Sequence, residues 1–309
     1  GRSGAMTPPG GYRGRFAPSP TGPLHFGSLV AAVASFADAR KQSGQWLVRI
    51  EDVDETRCKP AADRQILEAL QAFGMSWDEA PVSQSRRKDL YHEALQRLIE
   101  RDAAYRCSCS RKRIAETARH GSEGPVYPGT CRSIVPPADD PAAWRVKVDG
   151  PGIQFTDRIL GDIAQDLQAD VGDFIVRRID GFTAYQLAVV VDDQAQRISD
   201  VVRGADLLSS TPRQIRLQQL LGYAVPRYAH IPLVFGPDGR KLSKRDGAHP
   251  VDPASPMPAL RAAWRHLGQA SPPRDIEHPD TFWTWAIPHW EMQRVPNDRK
   301  HRDERADAL

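Results

Sequence analysis

The segment between residues 13 and 50 restricts the fold more than any other part of the chain. Residues 13–17 are a short strand candidate that runs into a proline-rich turn. From 28 to 41 the apolar residues fall at helical spacing, and 46–50 has the composition of a buried strand. A strand, a helix and a second strand in this order form a βαβ unit, in which the two strands are parallel. We therefore expect an α/β fold built on a parallel sheet.

The pattern of apolar residues extends this expectation along the chain. Helices are predicted at 61–73, 86–101 and 211–221. Strands are predicted at 144–148, 173–179, 198–203 and 231–235, whereas the apolar run 184–191 fits a helix or a strand equally well. One or two further helices are expected beyond residue 250. Residues 107–141 are rich in glycine, proline and charge, which predicts an insertion held together by something other than an apolar core.

Composition excludes several classes of protein. Apolar residues make up 40% and charged residues 26% of the 309, as in an ordinary globular protein. No apolar run is long enough to span a membrane, and no signal-peptide pattern is present. The net charge of +3 permits RNA binding without indicating it. We expect a soluble, cytoplasmic protein with no membrane partner.

The turn after the first strand has the residues of a nucleotide-binding loop. It reads RFAPSPTGPLHFGS over 15–28 and leads into a helix N-terminus, which favours a bound phosphate. His25 can donate a hydrogen bond to a phosphate oxygen, and Gly27 leaves room for an adenine or a ribose. The alternative is a proline-rich turn with a surface histidine, because a His-x-Gly sequence alone is weak evidence.

A second segment, KLSKRDG at 241–247, combines three cations and a hydroxyl in a glycine-flanked loop. Such a loop suits the charge that develops on a departing pyrophosphate. A solvated basic loop is the usual alternative.

Together the two segments resemble the "HIGH" and "KMSKS" signatures of class I aminoacyl-tRNA synthetases. The stretches between them are similar to those of glutamyl-tRNA synthetases, in order and at sensible spacing. They are RIEDVD at 49–54, VVDD at 190–193, VRG at 202–204 and DLLSSTPRQ at 206–214. The resemblance covers residues 13–247. It implies a Rossmann-type catalytic core in which the two signatures meet over ATP.

The resemblance also implies roles for individual residues. ATP binding falls to His25, Gly27, Ser28 and Lys244. Catalysis falls to His25, Lys241 and Lys244, which stabilise phosphate charge together with Mg²⁺.

The family's amino-acid site maps onto Arg15, Ser19, Glu51, Tyr185 and Arg203. These residue types suit L-glutamate, which has two carboxylates and one ammonium group. Arginines pair with carboxylates, often through two hydrogen bonds. We expect Arg15 and Tyr185 to bind the side-chain carboxylate, Arg203 the α-carboxylate and Glu51 the ammonium group.

Two positions depart from the glutamyl-tRNA synthetase pattern. Val189 stands where those enzymes usually have asparagine, and Ala205 where they usually have glutamate. The surroundings of the amino-acid site are therefore expected to differ in detail.

Three of the four cysteines, Cys107, Cys109 and Cys131, lie within 25 residues. In a reducing cytosol such a cluster indicates a metal before a disulfide, and three thiolates suit Zn²⁺. Tyr127 matches an unusual phenolic ligand in one subgroup of the family, so we expect one structural zinc held by Cys107, Cys109, Tyr127 and Cys131. His120 and His92 are rivals for the fourth position, because imidazole is the commoner ligand.

The resemblance divides the chain into five segments. They are residues 1–6, an expression scar; 7–106, the first half of the catalytic core; 107–141, the zinc-binding insertion; 142–247, the second half with the KMSKS-like loop; and 248–309, a short helical region and tail. Glutamyl-tRNA synthetases continue into a large anticodon-binding domain, for which the 62 residues after Gly247 leave no room.

This shortness and the cysteine–tyrosine pattern resemble glutamyl-queuosine tRNA(Asp) synthetases. The resemblance implies a monomeric ligase that forms glutamyl-adenylate and transfers glutamate to queuosine in the anticodon loop of tRNA(Asp). Exposed loop bases are the usual targets of RNA recognition. A short conventional glutamyl-tRNA synthetase, a glutamate-activating enzyme with a non-RNA acceptor, and a catalytically inactive RNA-binding paralogue are the alternatives.

Overall fold

The computed structural model describes residues 10–235 and 250–297. The described strands are β1 (Arg13–Phe16), β2 (Gln45–Ile50), β3 (Val82–Ser83), β4 (Ala104–Cys107), β5 (His120–Gly121), β6 (Gly124–Pro125), β7 (Ala143–Val146), β8 (Ile153–Asp157), β9 (Gly161–Gln165), β10 (Phe174–Arg177), β11 (Asp200–Gly204) and β12 (Arg227–Ile231). The described α-helices are α1 (Phe26–Lys41), α2 (Ala62–Ala72), α3 (Lys88–Glu100), α4 (Arg111–Thr117), α5 (Thr130–Ser133), α6 (Leu167–Asp170), α7 (Tyr185–Ala195), α8 (Thr211–Leu221), α9 (Pro256–His266) and α10 (Pro279–His289).

A parallel sheet forms the centre of the fold. β1 pairs with β2, β2 with β3, and β11 with β12, each in parallel. The backbone N–H of Ser199 donates to the carbonyl of Arg13 at 2.9 Å, which brings the two sets of strands together in the order β3-β2-β1-β11-β12. The α/β fold with a parallel sheet that the sequence predicts is confirmed.

The strand predicted at 231–235 is wrong in position. The strand at this place is β12, which ends at Ile231. The next residue is Pro232, which has no backbone N–H to offer a neighbouring strand. β12 instead begins at Arg227. Its apolar and polar residues do not alternate regularly, so the hydropathy pattern does not reveal the strand.

Helix α1 lies at the centre of the molecule and is therefore apolar on nearly every side. Ala32, Val33 and Ala37 have no exposed surface. The helix contacts β1, β2 and β11 on one side and α9 and α10 on the other. A helix covered all round in this way has no need of a polar face, which explains its run of small apolar residues.

Along the chain, antiparallel elements lie between β3 and β11, the strands that belong to the central sheet. β4, β7 and β10 form one antiparallel sheet, and β8 and β9 form a hairpin. The run 184–191, which fits a helix or a strand by sequence, is the helix α7. The predicted insertion 107–141 contains two short helices and a small hairpin around a cluster of Cys107, Tyr127 and Cys131.

The C-terminal helices join the core through aromatic side chains. Trp264 is fully buried, and its ring centroid lies 5.5 Å from those of Phe282 and Trp290. The indole N–H of Trp290 donates to Oδ1 of Asp38 in α1 at 3.1 Å. The last part of the described chain is thereby tied to the central helix.

None of the helices within residues 10–235 and 250–297 is long and apolar enough to cross a membrane.

We expect Trp290→Phe to lower the free energy of unfolding by about 1–3 kcal/mol, because it removes the indole donor from a buried carboxylate. Urea unfolding measures this loss. Trp285→Phe is the control, since it removes an indole from the same aromatic cluster, where Trp285 lies 6.4 Å from Trp264. Equal losses in the two variants would show that ring size, and not the bond to Asp38, sets the effect.

Candidate functional site

A cavity of about 600 Å³ opens beside the carboxyl ends of β1, β2 and β11. This edge is where ligands bind in open parallel sheets. Its wall includes every residue that the sequence assigns to the amino-acid site and three of those assigned to ATP: Arg15, Ser19, His25, Gly27, Ser28, Glu51, Tyr185 and Arg203. Lys241 and Lys244 lie outside the described residues.

Arg15, on β1, is held in place by an aspartate from α7. Its Nε and Nη2 donate to the two carboxylate oxygens of Asp193, each at 3.1 Å. Burial raises the pKa of Asp193, but the charges of Arg15 and Arg49 outweigh burial and bring the pKa to about 2. Asp193 is therefore ionised at neutral pH, and its grip on two nitrogens leaves Nη1 of Arg15 for a ligand.

Glu51 follows β2 and is almost fully buried. Its Oε2 accepts a hydrogen bond from Nε2 of Gln84 at 2.9 Å and lies 3.6 Å from Nη1 of Arg49. Burial raises its pKa to about 7, because the loss of hydration exceeds the stabilising charge of Arg49 and Arg15. The positive charge of a bound ammonium group would stabilise the ionised form of Glu51.

The guanidinium group of Arg203, on β11, donates three hydrogen bonds to other residues of the protein. Its Nε donates to Nε2 of His230 at 3.1 Å, and its Nη2 donates to Oγ1 of Thr211 at 2.8 Å. Its Nη1 is buried and has no hydrogen-bond partner among the described residues. A buried donor without a partner costs roughly 1–3 kcal/mol. This nitrogen is therefore a ready donor for an anionic ligand.

Tyr185 begins α7 and faces the same cavity. Burial raises the pKa of its phenol above the ordinary value, although the charge of Arg203 opposes the rise. The hydroxyl is therefore protonated at neutral pH and can donate a hydrogen bond.

The nucleotide side of the cavity is built around the start of α1. His25 is the N-cap, and its Nδ1 accepts from the backbone N–H of Ser28 at 3.3 Å. A Cβ atom at Gly27 would lie 3.3 Å from Cε1 of His25, so a glycine keeps the histidine ring free to sit there. The first turn of α1 contains no acidic residue, which leaves the positive end of the helix open to a phosphate.

The first described residues after the gap at 236–249 lie close to the start of α1. After residues 236–249, which lie outside the description, the chain returns at Pro250, which bridges to His25. The backbone N–H of Val251 donates to the carbonyl of Leu24 at 3.0 Å. Pro250 and Val251 therefore lie beside the N-terminus of α1.

A separate cluster brings the three nearby cysteines together. The sulfur atoms of Cys107, Cys109 and Cys131 lie within 4.8 Å of one another, and no histidine, aspartate or glutamate of the described residues joins them. The phenol oxygen of Tyr127 lies 3.3 Å from Sγ of Cys107 and 3.6 Å from Sγ of Cys109. Four ligands around zinc, with Zn–S bonds of about 2.3 Å, would be about 3.8 Å apart, so these four atoms fit a tetrahedral site.

The rival ligands lie elsewhere. His120 is an exposed residue of the β5 strand, and His92 lines a different cavity together with Lys88 and Phe182. The cysteines are free thiols, with 3.5 Å between the sulfur atoms of Cys109 and Cys131.

Several residues of the site were not assigned a role from the sequence. Asp193, Arg49, Gln84 and His230 all contact residues that face the cavity. The pair Asp192-Asp193 has a local signal, because two adjacent carboxylates interrupt an otherwise apolar helix. Gln84 and His230 have no such signal, since each acts through a partner that is distant in sequence.

The chain is similar to known synthetases over most of its length. The sequence model of the family described as "tRNA synthetases class I (E and Q), catalytic domain" matches residues 12–255. The Glutamyl-Q tRNA(Asp) synthetase of Dechloromonas aromatica is 52% identical over 288 residues, which are 92% of this chain and 96% of that protein. The protein of the same name from Cupriavidus metallidurans is 55% identical over 83% of this chain and 84% of its own length.

Solved structures give the same picture. The structure of a glutamate tRNA ligase from Elizabethkingia meningosepticum, in complex with its amino acid, superimposes with a TM-score of 0.76 at 28% identity. The match covers 93% of this chain and 66% of the ligase chain. This chain thus spans just under two thirds of the length of that ligase.

Proposed function

We propose a function for this chain, which belongs to the family of class I tRNA synthetases of the glutamate and glutamine type. It activates glutamate with ATP and transfers the glutamate to queuosine in tRNA(Asp). The observation that supports glutamate most directly is the cavity itself. Two buried arginines and a buried carboxylate, Arg15, Arg203 and Glu51, line one space. Their charges complement the two carboxylates and the ammonium group of glutamate.

Each charged group of glutamate has a partner in this arrangement. Arg15, through Nη1, and the hydroxyl of Tyr185 bind the side-chain carboxylate. Arg203 binds the α-carboxylate through its buried, unpartnered Nη1. Glu51 binds the ammonium group, and Ser19 lines the entrance as an exposed hydroxyl. Charge-assisted hydrogen bonds of this kind are stronger than neutral ones, which favours a dicarboxylate over an amide.

The first step joins glutamate to the nucleotide. An oxygen of the α-carboxylate forms a bond to the α-phosphorus of ATP, and the bond from that phosphorus to the pyrophosphate breaks. His25 at the helix N-terminus stabilises the phosphate charge, and the resemblance assigns the same role to Lys241 and Lys244, which lie outside the described residues. Mg²⁺ that enters with ATP neutralises part of the remaining charge.

The second step transfers the glutamyl group to the acceptor. A hydroxyl of the cyclopentene-diol of queuosine attacks the carbonyl of the mixed anhydride, and AMP leaves with the bonding electrons. Relatives that match this chain over nearly their full length have the name Glutamyl-Q tRNA(Asp) synthetase, which supports this acceptor. Positioning of the hydroxyl by the bound anticodon loop accounts for the rate of such a step.

A structural zinc ion is part of the same proposal. Cys107, Cys109, Cys131 and Tyr127 would bind it and cross-link β4 to the short helix α5. The insertion has few buried apolar side chains besides these residues, so a metal would replace the missing core.

We expect the efficiency of glutamate activation to rise with pH up to about 7 and to level off above it. Only ionised Glu51 can pair with the ammonium group, and its pKa in the free protein is about 7. The measurement is kcat/KM for glutamate in ATP–pyrophosphate exchange between pH 5.5 and 8.5, with KM for ATP as the internal control. Glu51→Gln should give a lower and pH-independent value. A wild-type profile that is flat across this range would contradict the role of Glu51.

Elemental analysis of protein purified without chelator should find about one zinc per chain. Tyr127→Phe should reduce the zinc content or its resistance to chelator, because one of four ligands is lost. His120→Ala is the matched control and should retain the full content. Loss of metal in His120→Ala with retention in Tyr127→Phe would assign the fourth ligand to the histidine instead.

The acceptor is tested with radiolabelled glutamate. tRNA(Asp) from cells that make queuosine should accept about one glutamate per molecule, whereas tRNA(Asp) from cells unable to make queuosine should accept none, because the attacking diol is absent. Unmodified tRNA(Glu) is the second arm. Charging of that tRNA at its 3′ end would identify the protein as a short conventional glutamyl-tRNA synthetase.

A further inference from the structure

A buried chain of hydrogen bonds runs from the β8–β9 hairpin to the cavity. It consists of Asp157 at the end of β8, His230 on β12 and Arg203 on β11. All three side chains are buried, and the side chains of Asp157 and His230 have no exposed surface. Neither Asp157 nor His230 lines the cavity, so any effect on a ligand must pass through Arg203.

We infer that His230, held by Asp157, is a positioning residue that orients the Arg203 guanidinium toward a carboxylate of the bound amino acid. The inference rests on the proposed function, in which Arg203 binds glutamate. It assigns His230 a role in the specificity of the site although the histidine touches no substrate.

The carboxylate of Asp157 sets the orientation of the histidine. One oxygen accepts the backbone N–H of His230 at 3.2 Å, and the other lies 2.5 Å from Nδ1 of the ring. A carboxylate accepts hydrogen bonds and does not donate them when ionised, so Nδ1 must bear the ring proton. The same Asp157 oxygen that accepts the backbone N–H of His230 also accepts the N–H groups of Ile159 and Leu160, which fixes the carboxylate in the hairpin turn.

The opposite ring nitrogen then acts as an acceptor. With the proton on Nδ1, Nε2 of His230 is an acceptor, and Nε–H of Arg203 donates to it at 3.1 Å. Oγ1 of Thr211 lies 3.1 Å from the same nitrogen and can donate its proton to the carbonyl of Leu207 at 3.2 Å. The opposite tautomer, or a protonated ring, would set an N–H of the histidine against an N–H of the arginine. Burial lowers the pKa of His230, although its bond to Asp157 opposes this, so the ring is neutral at pH 7.

The result is a guanidinium with a defined free end. Nε is bound by His230 and Nη2 by Thr211, and only Nη1 is left without a partner among the described residues. Two fixed nitrogens determine the plane of the group and hence the direction of the third. Without the acceptor at His230, the guanidinium could rotate about its last side-chain bonds, and Nη1 would no longer point in one direction.

Two substitutions separate the two sides of the histidine. His230→Asn retains an N–H group close to the position of Nδ1 but provides no acceptor for Arg203. His230→Gln reaches further and can place an amide oxygen near the position of Nε2. His266→Asn is the matched control, because His266 is a partly buried histidine that contacts the carbonyl of Pro232 in the cavity wall but neither lines the cavity nor contacts Arg203.

The kinetic test uses the full chain in glutamate-dependent ATP–pyrophosphate exchange. We expect His230→Asn to raise KM for glutamate about tenfold or more, with KM for ATP unchanged within about twofold. His230→Gln should recover part of this loss, and His266→Asn should match the wild type. If His230 only filled space, His230→Asn would not change KM for glutamate more than KM for ATP. His230→Gln would then recover no activity through its amide oxygen.

A direct measurement on the wild type does not depend on the variants folding or on the proposed function. The ¹⁵N NMR shifts of the His230 ring should report the neutral tautomer with the proton on Nδ1 at pH 7 and above. A proton on Nε2, or an unchanged KM for glutamate in folded His230→Asn, would overturn the inference. A wild type that activates no glutamate would instead overturn the proposed function. The tautomer would still show whether His230 accepts the hydrogen bond from Arg203.

Discussion

The structure depends on one buried cluster of charges, in which Asp193 of α7 lies between Arg15 of β1 and Arg49 of β2. Arg49 has no exposed surface, and the side chains of Arg15 and Asp193 are 5% and 7% exposed. Charges so far from water are tolerated only when they are paired and hydrogen-bonded. These pairs join residues that are 144 to 178 positions apart, so they connect β1 and β2 to α7, the helix whose first residue, Tyr185, lines the cavity.

The same cluster sets the electrostatics of the site. Asp193 neutralises part of the charge of two arginines and holds Arg15 in one orientation, while Glu51 stays near its point of half-ionisation because burial opposes its charge. Arg203 is fixed by neutral partners, His230 and Thr211, so its positive charge is not cancelled by a direct ion pair with an acidic residue in the described part of the chain. The cavity therefore offers positive charge at Arg203 and a neutral-to-negative group at Glu51. In the proposed binding mode Arg203 meets the α-carboxylate, which glutamate shares with its amide, so the distinction between the two rests on Arg15 and Tyr185 at the side-chain group.

Local patterns in the sequence predicted the parts of the fold that rest on local interactions. The helix predicted at 211–221 is α8, and the first strand, helix and second strand of the βαβ unit lie within two residues of their predicted bounds. The hairpin β8–β9 was not predicted, because β8 alternates apolar and polar residues over only five positions and β9 does not alternate regularly. The strand β12 was displaced because it is buried at consecutive positions and includes the polar His230. The five amino-acid-site positions came from a family resemblance and not from periodicity. The partners that orient them could not be found in this way, since Gln84, Asp157 and His230 meet their contacts only when distant segments pack together.

The C-terminal helices affect the site through α1, although they lie on its far side. Asp38, near the end of α1, accepts hydrogen bonds from Tyr12, Arg158 and the indole of Trp290. An α-helix rises 1.5 Å per residue, so Asp38 lies about 20 Å along the axis from His25 at the N-terminus. A helix of this length moves as a rigid rod, and contacts that fix one end also fix the other. The aromatic cluster around Trp264 thus limits how far the N-terminus of α1, with His25 and Gly27, can shift relative to the cavity. The direction in which the N-terminus of α1 points therefore depends on where α9 and α10 hold the helix.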